Sequence, residues 1–191
     1  MSQRPSTPKI NILAVAFIYF ALFLVSVWID HYQRLFRFPN KNEFTFARMA
    51  TDVLIGFGSG LLVAGITSLA TRYIKAFRDL SQSFYEFIGP LTRQEIFFLA
   101  VFSAIGEEFF FRGFLQGKVG LIAASLIFGL IHIGPDRRFI LWTIFAIVLG
   151  FLLGGLYAWR GNLLTPVIVH FVVNLLSLTK LTVLEDQKDS T

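Results

Sequence analysis

The sequence predicts an all-α integral membrane protein, a polytopic helical bundle of about six transmembrane helices plus one amphipathic interfacial helix, organised as a single domain over 1–191. Three observations predict it. Of the 191 residues, 55% are hydrophobic and only 15% charged, where a soluble domain carries about 25% charged residues. Mean hydropathy is +0.67. Apolar runs bounded by charge recur at the length, about 20 residues at 1.5 Å each, that crosses a hydrocarbon core of about 30 Å. No polar linker separates them, so a second domain is not expected.

Six runs qualify. The first, 10–29, follows Arg4 and Lys9 like a signal peptide, but its length and the missing small-residue cleavage site argue for a retained anchor. The second, 51–70, carries Gly56, Gly60 and Gly65, small residues that let another helix backbone approach. The third, 94–116, is interrupted by charge. The fourth, 119–133, stops at Gly134, Pro135 and Asp136. The fifth, 139–158, has Gly150 and Gly154 four apart, and the sixth is 163–178, with Thr165 and Pro166 read as its N-cap and first helical residue. Between the second and third, 73–90 sets Ile74, Phe77, Leu80, Phe84 and Phe87 at helical spacing among charges, the pattern of an amphipathic helix on the cytoplasmic membrane surface or of an extension of its neighbour.

Charge and composition exclude several chemistries. Cysteine is absent, which removes disulfides, thiolate metal sites, iron–sulfur clusters and cysteine nucleophiles. The net charge is +5, yet Lys and Arg are scattered through short connections without the aromatic interleaving of a nucleic-acid groove. Membrane lipids with anionic headgroups fit the balance instead, and most of the 23 Phe residues lie inside the apolar runs, where they pack helices or face lipid. With the N-terminus inside, ten Lys and Arg fall on the inner side and six on the outer, with Arg112 inside a span, so both termini are expected in the cytoplasm. The small size, the absence of a cleavable signal and the two charged termini suit a bacterial inner membrane.

Ionisable residues within spans are costly and therefore functional candidates. They cluster in the second half of the chain. The third run holds GEEFFFRG at 106–113, with Glu107, Glu108 and Arg112; the fourth ends in Phe128 and His132; the sixth holds His170 and Asn174. Residues four apart share a helix face, so Glu108 pairs with Arg112 in the favourable order and Glu107 is left without a local partner. An unpaired carboxylate beside another in a low dielectric is poised as a general base. His170 with Asn174, and Phe128 with His132, likewise share stripes. Together these groups suffice to activate water and to donate hydrogen bonds to an oxyanion. Each also has a plain structural reading, as a helix-fixing ion pair or an interhelical donor. Asp52, Asp136 and the other acids sit at span ends or in loops where solvation explains them, and His31 is read as an ordinary interfacial residue.

Three separated motifs, E-E-x-x-x-R at Glu107, Glu108 and Arg112, F-x-x-x-H at Phe128 and His132, and H-x-x-x-N at His170 and Asn174, resemble the signature of the CAAX-protease and bacteriocin-processing family of intramembrane proteases, which includes the Ras-converting type of CAAX prenyl endopeptidase. The resemblance covers about 95–178, the motif-bearing core; 1–93 matches only as additional hydrophobic spans and a connecting segment. It implies a peptide-bond hydrolase in which Glu107 and His132 activate water, His170 and Asn174 stabilise the oxyanion, and Glu108, Arg112 and Phe128 support them. It further implies a metal-independent glutamate mechanism with no cofactor. Zinc held by Glu107, His132 and His170 is the alternative, although no H-E-x-x-H is present.

The expected activity is therefore endopeptidase cleavage of a peptide or protein substrate, lipid-modified or carrying a C-terminal sorting tail. The alternatives are a non-catalytic immunity or scaffold protein of the same family and, third, a proton-coupled transporter, which would need matching broken helices in both halves. One difficulty stands. Counting 1.5 Å per residue leaves Glu107 and His132 roughly 10 Å apart in depth unless tilt, a later start to the fourth helix or a bend at Gly113 or Gly117 unites them.

Overall fold

The computed structural model describes residues 10–29 and 45–188, with side chains through 181. The orientation count draws partly on Arg4, Lys9, Arg34, Arg37 and Lys41, which lie outside the described residues, as does His31. Among the described residues there is no strand: the chain is an all-α membrane bundle. Its helices are α1 (Ile12–Ile29), α2 (Phe46–Tyr73), α3 (Lys75–Ile88), α4 (Arg93–Glu108), α5 (Gln116–Leu130), α6 (Ile140–Arg160) and α7 (Leu164–Lys188). Four helical runs, Phe46–Tyr73, Arg93–Leu130, Arg137–Arg160 and Leu164–Leu181, are long and apolar enough to cross a membrane, and Ile12–Trp28 is a shorter apolar helix.

The third and fourth expected spans form one helical run with two irregularities. Thr92 starts it through a capping box: its hydroxyl accepts from the Glu95 N–H while the Glu95 carboxylate accepts from the Thr92 N–H at 2.8 Å. After Glu108 the helix widens into a π-helical turn, Phe109–Leu115, a feature frequent at functional sites. At Gly120 it breaks, with φ 82° and ψ 168°, a left-handed conformation that glycine adopts without steric cost. The chain doubles back there, because a straight helix would hold Glu107 and His132 about 37 Å apart and their side chains instead meet at 3.6 Å. Beyond the break only ten helical residues, 121–130, remain, about 15 Å or half of a membrane core. The expected fourth span 119–133 is thus too short to cross. The depth difficulty is met by a later start after Gly120 and not by a bend at Gly117.

Other expectations are corrected in detail. The segment 73–90 is a separate helix, since Ile74 leaves the helical region at φ −110° and ψ 117°. Its aromatic face packs inward: Phe84 meets Phe139 and Trp142 at ring separations of 5.1 and 4.7 Å. Gly56 and Gly60 do bring α2 onto α7, where an added Cβ would stand 2.8 Å from Ile168 and Val172, whereas Gly65 faces nothing within 4 Å. Thr165 is not the N-cap of the last helix. That helix begins at Leu164, whose N–H is capped by the Asn162 side chain at 3.0 Å, and Thr165 lies buried within its first turn.

Asp52 is also misplaced by the sequence reading. It is fully buried, and both carboxylate oxygens are partnered: Arg160 Nε donates to Oδ1 at 2.5 Å and Asn162 Nδ2 to Oδ2 at 2.8 Å. This network ties the start of α2 to the α6–α7 connection. Asp136 is exposed as expected; hydrogen bonds from Arg138 hold its carboxyl below the usual carboxylate range.

Candidate active site

Four elements converge on Glu107. From Arg93 the helix carries it 14 residues inward, about 21 Å, and leaves it 4% exposed. His132 stands just beyond α5 and His170 on α7, with their Nε2 atoms 3.6 and 4.0 Å from Glu107 Oε2. Tyr19 of α1 lines the same cavity as this carboxylate and interacts with it electrostatically. Asn174, one turn beyond His170, shares with Glu107, His132, His170 and Tyr19 a cavity of about 900 Å³ whose walls are mostly apolar.

The outer partners fix the two imidazoles. His132 Nδ1 lies 2.5 Å from the Phe128 carbonyl oxygen, which can only accept, so Nδ1 carries the proton and Nε2 faces Glu107. Trp142 closes on the ring edge-on at 5.0 Å, and Thr143 donates to the His132 carbonyl at 3.2 Å. His170 Nδ1 lies 2.7 Å from Glu108 Oε1, an acceptor that again assigns the proton to Nδ1 and turns Nε2 toward Glu107.

Glu108 is the hub beneath. The same Oε1 accepts from Arg112 Nη1 at 2.8 Å, with both side chains buried. Arg112 Nη2 donates to the Gly150 carbonyl at 3.1 Å, and its guanidinium sits 4.4 Å over the Phe128 ring, itself 1% exposed. One cation therefore neutralises Glu108, ties α4 to α6 and stacks on α5. The three sequence motifs meet around this pair. Glu108 and Arg112 do more than stabilise a helix, since their carboxylate also orients His170.

Asn174 donates its amide N–H to Ser103 Oγ at 2.9 Å. Ser103 is one turn before Glu107, so the amide joins α7 to the stripe of α4 that carries Glu107 as interhelical glue does, while still lining the cavity. The sequence reading missed Ser103, Trp142 and Tyr19. Ser103 is legible in retrospect as the residue four before Glu107; Tyr19 carries no local signal, because its role depends on how α1 docks.

The spacing bears on zinc. Two ligands of a tetrahedral zinc ion, each about 2.0–2.1 Å from the metal, stand about 3.4 Å apart. Glu107 stands 3.6 Å from one imidazole, close to that spacing, and 4.0 Å from the other, and among the described residues no group of three such side chains is gathered as a metal site.

Residues 90–176 match the model of the type II CAAX prenyl endopeptidase Rce1-like family. This segment belongs to that family. The match takes in Glu107, Glu108, Arg112, Phe128, His132, His170 and Asn174 and leaves out α1, α2 and α3. The uncharacterized protein YpbD of Bacillus subtilis (strain 168) is 43% identical over 81 residues, 41% of this chain and 41% of the relative. The sporulation-killing factor biosynthesis protein SkfC of the same strain is 26% identical over 148 residues, 69% of this chain and 29% of the relative. The chain thus aligns with well under half the length of either curated relative. No solved structure matches. With four helical runs long and apolar enough to cross a membrane, the chain is an integral membrane protein, and its segment 90–176 is similar to the CAAX-protease class.

Proposed function

We propose that the chain is an intramembrane endopeptidase in which Glu107 and His132 activate a water molecule and His170 and Asn174 stabilise the oxyanion. One observation carries this reading. Three acceptor atoms, Glu107 Oε2 and the Nε2 atoms of both histidines, converge in a buried place, and Glu107 Oε2 has no hydrogen-bond partner there. Like-natured lone pairs gathered away from solvent are unfavourable unless a donor joins them. A water molecule supplies two O–H groups, the complement of a carboxylate and an imidazole.

In the reaction, Glu107 takes a proton as the water oxygen bonds to the scissile carbonyl carbon, and the carbonyl π electrons move onto oxygen. For this step His170, proton-free at Nε2 in the resting site, first takes up a proton there from solvent, as an imidazolium held by Glu108 through Nδ1; Nε2 then donates to that oxyanion, and the free amide N–H of Asn174 adds a second bond. Collapse expels the amine, which receives the proton from Glu107. No metal takes part in these steps. The apolar cavity suits a membrane-anchored peptide, lipid-modified or carrying a C-terminal sorting tail, and similarity to a protein named for killing-factor biosynthesis supports a processing role. The reading includes an inner-membrane location with both termini in the cytoplasm.

The test is cleavage of quenched peptides, farnesylated and unmodified, by the purified chain in detergent. Activity that survives a chelator and disappears in Glu107→Gln is the expected result. Full activity of Glu107→Gln would remove the general base and with it this mechanism.

A further inference from the structure

Tyr19 lies on α1, outside the family-matched segment, yet its side chain lines the cavity beside Glu107. Two contacts hold it there. Gly106, the residue before Glu107, lets the α1 backbone rest directly on α4: a Cβ at that position would stand 2.6 Å from the Tyr19 carbonyl oxygen and 2.9 Å from the Tyr19 Cβ. One turn along, Phe23 packs on Phe109 with ring centroids 5.0 Å apart. The docking is therefore set by backbone against backbone and not by a mobile side chain, and it places the phenol in the cavity that Glu107 also lines.

We propose that Tyr19 is a positioning residue for the reaction, its phenolic O–H donating to the Glu107 carboxylate and holding it against His132 and His170. The groups facing Glu107 are the imidazoles from α5 and α7, Glu108 and Arg112 from its own helical run, and Tyr19. Of these, Arg112 directs its guanidinium N–H groups to Glu108 and the Gly150 carbonyl, and both histidines direct proton-free nitrogens inward. Tyr19 is then the neutral donor that meets the carboxylate. A charge-assisted hydrogen bond of this kind fixes a side chain that otherwise rotates about three bonds, so the base is already aligned when substrate arrives. The proposal rests on the reading of Glu107 as the base.

The experiment compares Tyr19→Phe with Glu107→Gln in the full chain in detergent micelles, on the same farnesylated and unmodified quenched peptides. Tyr19→Phe keeps the ring and loses the donor, so kcat is expected to fall by about 10 to 100-fold, the usual loss for a partner that orients a catalytic group, with KM within about twofold and an unchanged thermal midpoint. Wild-type kcat in Tyr19→Phe overturns the proposal. If Glu107→Gln is inactive while Tyr19→Phe is not, only Tyr19 is lost; if Glu107→Gln is fully active, the base assignment falls first. A second readout needs no turnover: with 3-fluorotyrosine incorporated, the ¹⁹F resonance assigned by its loss in Tyr19→Phe is expected to move in Glu107→Gln and to stay in Glu86→Gln. A resonance indifferent to Glu107→Gln also overturns the contact.

Discussion

Two buried polar clusters lie in this bundle, and they are built in opposite ways. Around Asp52, donors and acceptors match: Arg160 and Asn162 satisfy both carboxylate oxygens, and Asn162 goes on to cap α7. Around Glu107 and Glu108, Oε2 of each carboxylate is buried without a partner, and two imidazole nitrogens add further acceptors. The first cluster is closed and serves to join helices. The second is held rigidly from behind, by Arg112 and by the Nδ1 bonds of the histidines, and left short of donors in front. Both clusters are built on buried carboxylates with an arginine partner; what sets the second apart is that its polar groups do not satisfy each other.

That contrast can be broken at its strongest point first. Glu107→Gln removes the base at the centre of the open cluster and is expected to lower kcat/KM by about 10³-fold, with no fall in the thermal midpoint, as read by peptide cleavage and by unfolding in detergent. Arg112→Ala attacks the rigid backing. It leaves Glu108 as an uncompensated buried charge, a loss of about 3–5 kcal/mol, so the yield of folded protein and the thermal midpoint should both fall along with activity. A midpoint equal to wild type would mean that Arg112 is not what holds the backing.

The next comparison uses Asn174. Asn174→Ala is expected to cost about 10²-fold in kcat if its amide serves an oxyanion, whereas a residue that only bonds Ser103 would lower the thermal midpoint and leave the rate per folded molecule alone. Asp52→Asn in the closed cluster should do the reverse of Glu107→Gln. Losing the charge opposite the partly exposed Arg160 is expected to cost about 2 kcal/mol of stability, with cleavage per folded molecule unchanged; an active-site-like loss of rate there would erase the distinction drawn between the clusters. The smallest expected effect is that of a chelator, which should leave cleavage within twofold of untreated protein.

Much of the candidate site is legible in the amino-acid sequence, and particular residues say why. Glu108 and Arg112 pair through helical spacing alone, an interaction within one turn. The confinement of charge to apolar runs marks Glu107, His132 and His170 because each is unfavourable where it sits unless it has a use. Asp52 reads wrongly for the same reason: at the edge of an apolar run, solvation and burial look alike in sequence, and only Arg160 and Asn162, more than a hundred residues away, decide between them. The fourth span is misread because an apolar run of suitable length does not reveal the φ of Gly120.

By itself the sequence determined the class of protein, its apolar helices and the identity of the groups that are costly to bury, since these follow from local composition and from a period of 3.6 residues. The tertiary structure alone decided that the chain reverses at Gly120, that His132 and His170 turn their Nε2 atoms to Glu107, and that Tyr19 joins them. Those facts depend on contacts between helices distant in the chain, such as Gly106 resting on the Tyr19 backbone. No local pattern encodes such a contact, because its energy comes from the fit of two surfaces and not from either one.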